Sequence, residues 1–217
     1  MQEPIHILNS LIEEAKEKNK ELWVAFLDIK KAFDSVNLSK LEAAMERIRM
    51  PKHLINLLLD LFRKRKIQII TKFGLTEKIT ATEGIDQGEV ISPLLWRIYF
   101  DPLLDKLHTT KKGAHINVDW PLDIAYNRVN KEEKVVTGIA YADDIALLAH
   151  SQEELQEVLK ITEQFFSINS IELNTKKTEL VVINPSDKSK PKEILLNKGR
   201  TKIIEKKEKE LTRYLGI

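Results

Sequence analysis

The chain has 217 residues, 42% hydrophobic and 31% charged, a length and balance that exclude a disordered chain and indicate one domain with a single substantial core. No apolar run approaches the roughly 20 residues that cross a bilayer, and there is no cysteine for disulfides or thiolate zinc sites, which fits an intracellular protein with no membrane partner. The net charge of +2, from 35 basic and 33 acidic residues, neither indicates nor excludes a nucleic-acid partner, and the basic clusters at Arg63–Lys66, Lys111–Lys112 and from Lys188 onward are typical of solvated surfaces.

The first part of the chain is predicted to alternate helices and a strand. Residues 5–19 repeat apolar side chains at helical spacing, which predicts a helix. The continuous apolar run Leu22–Leu27 predicts a strand buried on both faces, with the carboxylate of Asp28 at its C-terminal end. Apolar spacing of three and four predicts two further helices, over residues 38–48 and 54–61.

The middle of the chain is predicted to contain β structure followed by a helix. Residues 67–82 predict two β segments around a turn that contains Gly74. Ser92 as the N-cap and Pro93 as the first helical residue predict a helix, with a break at Pro102.

The chain after residue 107 is less regular. Residues 108–134 are polar and favour no element, whereas the apolar runs Val135–Tyr141 and Ile145–Ala149 are close enough to predict a hairpin. Ser151 and the glutamate three residues later form a capping box for another helix, and Thr178–Ile183 predicts a strand. Together the elements predict an α+β fold with a small, mostly antiparallel sheet and helices packed on one face.

Three carboxylates carry the strongest chemical signal. Asp143 and Asp144 stand between two apolar strands, where adjacent carboxylates repel each other, although hairpin turns also use Asp with no functional role. If the strand that ends at Asp28 is a neighbour, the three groups meet at one edge of the sheet, and a bound cation relieves their repulsion. Oxygen ligands favour Mg²⁺, and such a cluster suits two-metal catalysis, which nucleases and phosphatases also use.

Five segments form a recognisable series of motifs. They are Phe26–Val36 (FLDIKKAFDSV), Gly84–Gly88 (GIDQG) followed by Ser92-Pro93-Leu94, Tyr141–Asp144 (YADD), Leu173–Thr178 (LNTKKT) and Tyr214–Ile217 (YLGI). In this order, over residues 26–217, they resemble the motifs of reverse transcriptases, especially those of non-LTR (LINE-like) retrotransposons. Each segment alone is a weak to moderate signal, and the ordered set is a strong one.

The resemblance implies the metal site. Asp28, Asp143 and Asp144 match the catalytic carboxylates, which hold Mg²⁺ or, as a substitute, Mn²⁺. The carbonyl oxygen of Ile29 matches a further metal ligand.

The resemblance also implies contacts with the nucleotide and the primer. Phe33 matches the steric gate, where a ring under the sugar excludes a 2′-hydroxyl, although an ordinary core Phe has the same pattern. Gln87 and Gly88 match residues beside the incoming nucleotide, where Gly permits close approach of the backbone. Lys177 matches a proton donor to the leaving pyrophosphate, with a solvated lysine as the alternative. The residues implied to hold the primer are Tyr214, Leu215 and Gly216.

The chain departs from the family pattern in the loop that contains Gln87. Asp86 stands where many members have Arg or Lys, and Glu89-Val90-Ile91 replaces a common acidic-Pro-Leu sequence. We expect residues 1–217 to be a reverse transcriptase fragment, with partial fingers and the palm up to the primer grip, and with the thumb absent.

The resemblance implies an RNA-directed DNA polymerase, a nucleotidyltransferase that adds deoxynucleotides to a primer 3′-hydroxyl. Its expected partners are an RNA template, a DNA primer or target, and deoxynucleoside triphosphates, and nuclear action is expected because non-LTR elements usually act at chromosomal targets. One alternative is an inactive retroelement remnant that retains the palm fold, which the three carboxylates disfavour. The others are an RNA-templated RNA polymerase, disfavoured by Phe33, and a two-metal nuclease, which leaves the loop of residues 84–93 unexplained.

Overall fold

The computed structural model describes residues 2–123 and 128–206. The chain divides into two compact units: Met1–Ile29, Leu103–Phe165 and the chain from Leu173 form the first, and Lys30–Pro102 with Phe166–Glu172 form the second. The described helices are α1 (Gln2–Glu17), α2 (Leu38–Arg47), α3 (Lys52–Phe62), α4 (Ser92–Thr109) and α5 (Gln152–Asn169), with a 3₁₀ turn at Phe33–Ser35. The described strands are β1 (Leu22–Lys30), β2 (Arg65–Ile67), β3 (Ile70–Thr71), β4 (Gly74–Leu75), β5 (Ile79–Ala81), β6 (Ala114–Asp123), β7 (Arg128–Val136), β8 (Gly138–Tyr141), β9 (Asp144–Ala149), β10 (Glu172–Leu173), β11 (Glu179–Ile183), β12 (Glu193–Leu196) and β13 (Thr201–Ile204).

The first unit is built on an antiparallel sheet with β1 at its centre. The strand order is β10-β1-β9-β8, and β11 also pairs with β1. Val24 in β1 lies between Leu148 of β9 and Val181 of β11, and both pairings are antiparallel. The predicted α+β fold with an antiparallel sheet is therefore confirmed.

Helix α1 packs on one face of this sheet. Its buried residues Leu8, Leu11 and Ala15 form a cluster with alternate residues of the strands, namely Leu22, Val24, Ile139, Ala146 and Leu148. The intervening residues of β1 are buried as well, since Trp23, Ala25 and Leu27 are each at most 3% exposed. Burying a leucine side chain such as that of Leu27 contributes about 1.5–3 kcal/mol, so the apolar run of β1 holds the end of the strand that follows it in place.

The second unit packs two helices and a group of aromatic rings. Buried side chains from α2 and α3 form its helical part, namely Leu41, Met45, Ile55, Leu59 and Phe62. In α4 the ring of Trp96 stacks on Phe100 with centroids 5.4 Å apart, and the ring of Phe33 lies 5.9 Å from Trp96. The predicted β segments of residues 67–82 are present as one interrupted hairpin, in which β2 pairs with β5 and β3 pairs with β4.

Two expectations for α4 are wrong. The carbonyl oxygen of Ile91 accepts the first helical hydrogen bond, from the Leu95 N–H at 3.0 Å, so the helix begins one residue earlier than predicted. Ser92 therefore lies inside the helix, and instead of capping the helix its buried hydroxyl has no hydrogen-bond partner among the described residues. The helix also continues through Pro102 despite the missing hydrogen bond, and the residues near the proline, Phe100 and Leu103, are both buried.

Other helix and strand boundaries differ from the predicted ones by a few residues. Strand β1 does not end at Asp28 but continues to Lys30. The predicted hairpin at Ile145–Ala149 is present, but its first strand begins at Gly138, because the preceding valines belong to β7. Ser151 caps α5 as predicted, since its hydroxyl accepts the Glu154 N–H at 3.2 Å.

Residues 108–123 and 128–134 have more regular structure than the sequence indicates. They contain the end of α4 and most of the long hairpin β6–β7, in which His115 pairs with Val135 and Asn117 with Glu133. The side chain of Glu133 also lies 3.1 Å from the ring nitrogen of His115. Polar pairs such as these interrupt the apolar alternation by which a strand is recognised.

Candidate active site

The Tyr141–Asp144 motif forms the tip of the β8–β9 hairpin. Tyr141 pairs with Asp144, which leaves Ala142 and Asp143 as a two-residue loop. Ala142 has a φ of +52°, in the left-handed region that such short hairpin turns require and that Gly normally occupies. A non-Gly residue in this conformation costs about 1–2 kcal/mol, so the loop that presents Asp143 is held in a strained conformation by the strands on either side.

Asp28 lies directly opposite Asp144. The two residues are the last pair in the β1–β9 register, so their side chains extend from the same face of the sheet. Opposite residues in an antiparallel pair have Cβ atoms about 4.5–5.5 Å apart, a separation at which like charges destabilise the pair. Asp28 and Asp144 therefore lie together at the end of the sheet, with Asp143 in the adjoining loop, and the convergence of all three carboxylates on one metal ion stays a prediction.

The electrostatics of Asp144 reflect this crowding. Burial raises the pKa of its carboxyl above the usual value of 3.8, and the negative charges of Asp143 and Asp28 raise it further. The ammonium group of Lys177 opposes these effects. A positive charge bound between these carboxylates would lower the pKa of Asp144 for the same reason that the lysine does.

The Leu173–Thr178 motif places Lys177 at this edge. The Asn174 N–H donates to the carbonyl oxygen of Asp28 at 2.8 Å, which ties the turn to β1. The N–H groups of Lys177 and Thr178 both donate to the Asn174 carbonyl oxygen at 3.0 Å. The Lys177 Nζ then lies 3.7 Å from Oδ1 of Asp28, with the lysine side chain 70% exposed.

The second unit brings together Phe33 and the Gly84–Gly88 loop. The Gly84 N–H donates to the carbonyl oxygen of Val36 at 2.8 Å, and the Ile85 N–H donates to that of Phe33 at 3.0 Å. Gly84 has a φ of +83°, and an added Cβ would lie 3.0 Å from the Asp34 carbonyl oxygen. Glycine is therefore favoured at this position, because another residue would combine a strained backbone with a tight contact to Asp34.

Arg65 is the residue of this unit that the sequence interpretation missed. Its guanidinium pairs with the carboxylate of Asp86 and donates to the carbonyl oxygen of Gly84 at 2.8 Å. It also donates to the Phe62 carbonyl oxygen at 3.1 Å, and its side chain is only 14% exposed. The acidic residue at position 86, where many family members are basic, was the available signal, because it calls for a nearby cation.

We expect Arg65→Lys to lower the free energy of unfolding by about 1–3 kcal/mol, since an ammonium group cannot reproduce the planar set of hydrogen bonds that the guanidinium makes. Urea denaturation measures this loss. Arg63→Lys is the matched control, because Arg63 is exposed and pairs with Glu42 on the surface. Equal losses from both variants would contradict the role assigned to Arg65.

The remaining predicted site residues are Ile29, Gln87, Gly88 and the three residues of the primer grip. Ile29 is buried in β1 next to Asp28, whereas Gln87 and Gly88 are exposed on their loop. Tyr214, Leu215 and Gly216 lie outside the described residues. Within 2–123 and 128–206, no three His, Asp or Glu side chains already converge closely enough to bind one metal ion, and no helix is long and apolar enough to cross a membrane.

Comparison of the sequence with known proteins identifies the family. Residues 2–217 match the model of the reverse transcriptase (RNA-dependent DNA polymerase) family. The Pol polyprotein of the type-1 retrotransposable element R2 is 28% identical over 215 residues in Nasonia vitripennis and 29% identical over 222 residues in Bradysia coprophila. These matches cover 97% and 98% of this chain but 19% and 23% of the relatives, so the chain spans about a fifth of their length.

Comparison with solved structures supports the same fold. Telomerase from Candida tropicalis, in complex with the TWJ fragment of telomeric RNA, matches with a TM-score of 0.59 at 12% identity, over 85% of this chain and 29% of that one. The apo enzyme truncated from its C-terminal domain matches with a TM-score of 0.54 at 14% identity, over 87% of this chain and 36% of that one. The chain therefore belongs to the reverse transcriptase (RNA-dependent DNA polymerase) family.

Proposed function

We propose that this domain copies RNA into DNA by adding deoxynucleotides to the 3′-hydroxyl of a primer. The observation that carries the proposal is the pairing of Asp28 with Asp144 at the end of the sheet, beside Asp143 in the hairpin loop. Carboxylates in this arrangement suit phosphoryl transfer, because they hold cations next to the reacting phosphate groups.

The carboxylates fit a hard divalent cation. Their oxygen atoms are the ligands that Mg²⁺ prefers, with Mn²⁺ as a substitute. Burial, and after it the negative charges of Asp143 and Asp28, raise the pKa of Asp144, and a bound positive charge would oppose both effects. The groups that would hold the metal are the side chains of Asp28, Asp143 and Asp144 and the carbonyl oxygen of Ile29. When bound in a two-metal site, the ions activate the primer hydroxyl and neutralise charge on the triphosphate.

The other motif residues bind and orient the substrates. The ammonium group of Lys177, which lies 3.7 Å from Oδ1 of Asp28, would supply a proton to the departing pyrophosphate. Phe33 lies under the sugar of the incoming nucleotide, and Gln87 contacts the same nucleotide. Gly88 has a φ of +101° and open space around its Cα, which admits close approach of a ligand to the backbone. The primer end is held by Tyr214, Leu215 and Gly216.

This proposal sets the expected partners and context. The partners are an RNA template, a DNA primer or target and deoxynucleoside triphosphates, and the site of action is chromosomal DNA in the nucleus. Residues 1–217 then supply the palm and part of the fingers of the polymerase.

The test is primer extension on RNA and on DNA templates, with deoxynucleotides and Mg²⁺. Wild-type protein should extend the primer on RNA, and the double variant Asp143→Asn, Asp144→Asn should not. The control is Glu132→Gln, Glu133→Gln, which removes an adjacent pair of exposed carboxylates from β7 and should leave extension unchanged. A folded wild-type protein without activity would overturn the proposal in favour of an inactive remnant.

Phe33→Val should raise the incorporation of ribonucleotides relative to deoxynucleotides by about 10- to 200-fold, because the smaller side chain leaves room for a 2′-hydroxyl. The measurement is the ratio of kcat/KM for matched ribo- and deoxynucleoside triphosphates. Phe165→Val makes the same change at another half-buried Phe and should leave that ratio unaltered. An unchanged ratio in Phe33→Val would show that the ring is an ordinary packing residue.

A further inference from the structure

The hairpin of strands β2 to β5 is one of two strongly basic stretches of the chain, the other being the Lys-rich segment from Lys188 onward. Residues 63–81 include six basic residues and one acidic residue, a net charge of +5. The whole chain has a net charge of +2, so all other residues together contribute −3. A segment with five excess positive charges, in a chain whose net charge is only +2, indicates an anionic partner at that element.

Most of this charge is available to a ligand. The two arginines of the segment are committed within the protein, Arg63 to Glu42 and Arg65 to Asp86. The lysines are exposed, and none of them lies within 4 Å of a carboxylate in the part of the chain that the structure describes. These four lysines are Lys64, Lys66, Lys72 and Lys78.

The tip of the hairpin presents an aromatic ring to solvent. Phe73 is 89% exposed, and its neighbour on the same hairpin, Ile70, is 85% exposed. The Lys72 Nζ lies 4.8 Å from the centre of the Phe73 ring, so the tip combines a flat apolar surface with a cation. Single-stranded nucleic acids are bound by this combination, because bases stack on the ring while phosphates meet the positive charge.

The tip is held in place by its own hydrogen bonds. The hydroxyl of Thr71 donates to the Gly74 carbonyl oxygen at 2.8 Å and accepts the Phe73 N–H at 3.2 Å. Below the tip, the Thr76 hydroxyl accepts the Ile69 N–H at 3.0 Å. A ring presented on an ordered hairpin loses little conformational entropy when a base stacks on it.

We propose that the β2–β5 hairpin binds single-stranded nucleic acid, with Phe73 stacking on a base and the four lysines contacting phosphates. The proposal rests on the proposed function and adds to it a binding surface separate from the carboxylates. Arg65, at the base of the hairpin, joins this surface to the Gly84–Gly88 loop, so the bound strand is held beside the loop assigned to the nucleotide.

The test measures the binding of labelled single-stranded RNA, single-stranded DNA and duplex DNA to the purified protein by fluorescence anisotropy at several salt concentrations. Phe73→Ala should weaken single-strand binding by about 5- to 150-fold, the effect expected for stacking on one ring, without changing the salt dependence. Replacing the four lysines by Gln should reduce the slope of log K against log salt by about 0.7 for each phosphate that the protein no longer neutralises, and by up to roughly 3 in all. The RNA and DNA arms identify which strand the hairpin binds.

The matched control replaces four exposed lysines outside the hairpin by Gln, namely Lys160, Lys188, Lys190 and Lys198. It makes the same change in net charge and should leave single-strand binding nearly unchanged. The proposal would be overturned if both lysine variants weakened single-strand binding equally or if Phe73→Ala bound single strands as tightly as the wild type. It would also be overturned if the wild type did not bind single strands. A further contrary result would be that Phe73→Ala loses a protein–protein association, measured by sedimentation, while its nucleic-acid binding is intact.

Primer extension separates this proposal from the proposed function. If the wild type extends primers and the hairpin variants bind and extend equally well, the hairpin proposal fails and the polymerase stands. If the wild type binds single strands through the hairpin but extends nothing, the polymerase proposal fails and the hairpin stands.

Discussion

Asp144→Asn is expected to reduce the rate of primer extension at least about 100-fold and, without metal ions, to raise the stability of the fold. The activity loss follows from removing a group that acts only through charge at the reacting phosphate, for which losses of about 10²- to 10³-fold are typical. The gain in stability follows from removing a carboxylate that lies opposite Asp28 and beside Asp143. We expect this gain to be about 1 kcal/mol or less, because the group is only partly buried.

The stability gain should depend on pH with a definite sign. The pKa of Asp144 is raised in the folded protein, so the native state binds the proton more tightly than the unfolded chain does. The free energy of unfolding of the wild type therefore falls as pH rises from 3.8, the usual pKa of an aspartate, through the higher pKa of Asp144 in the folded protein. Above that folded pKa the loss of stability is constant. Asp144→Asn does not lose this stability. Its free energy of unfolding should therefore exceed that of the wild type by the full amount at neutral pH, and the difference should vanish below pH 3.8.

Urea denaturation across this pH range, with chelator and then with Mg²⁺, measures both effects. Mg²⁺ should stabilise the wild type and leave Asp144→Asn unaffected, because the ion binds the folded carboxylate cluster. Glu132→Gln, at an exposed position of β7, is the control and should retain the response of the wild type to Mg²⁺. A variant that is less stable than the wild type in chelator at neutral pH would contradict the predicted repulsion.

The buried parts of the fold could be predicted from the sequence, and the solvated parts could not. Strands β1 and β9 are continuous apolar runs, and such a pattern has few solutions other than a strand buried on both faces. Hairpin β6–β7 pairs polar residues such as Asn117 and Glu133, so its periodicity is masked. Hairpin β12–β13 lies in a Lys- and Glu-rich segment, where few residues indicate burial, namely Ile194, Leu196 and Ile203.

The candidate site, like the fold, could be predicted from the sequence only in part. The sequence identified the carboxylates, but the opposition of Asp28 and Asp144 depends on the register of β1 against β9, and a shift of one residue would move Asp28 to the other face. Register is set by packing over the whole sheet, which no local motif contains. Arg65 was missed for a related reason, because within a run of four basic residues nothing local distinguishes the one that turns inward.

The second prediction with a large expected effect concerns Gly113, a glycine that lies outside all five sequence motifs. Gly113→Ala is expected to lower the free energy of unfolding by about 2–5 kcal/mol, because it combines backbone strain with a steric clash. Gly113 has a φ of +150°, and a Cβ there would lie 2.6 Å from the Val136 carbonyl oxygen and 2.8 Å from the backbone nitrogen of Thr137. Backbone atoms cannot move aside as a flexible side chain does, so relief requires a shift of the junction between β7 and β8.

The comparison with Gly74→Ala separates the two causes. Gly74 has a φ of +114° and nothing within 4 Å of an added Cβ, so its substitution carries the strain without the clash. Gly113→Ala should therefore be the more destabilising variant by at least about 1 kcal/mol in urea denaturation, the lower end of the cost of overpacking. Because β8 carries the YADD tip, a shift at its start should also lower primer extension, and Gly74→Ala should not. Equal destabilisation by the two substitutions would mean that conformational strain alone accounts for Gly113 and that the junction has room for a methyl group.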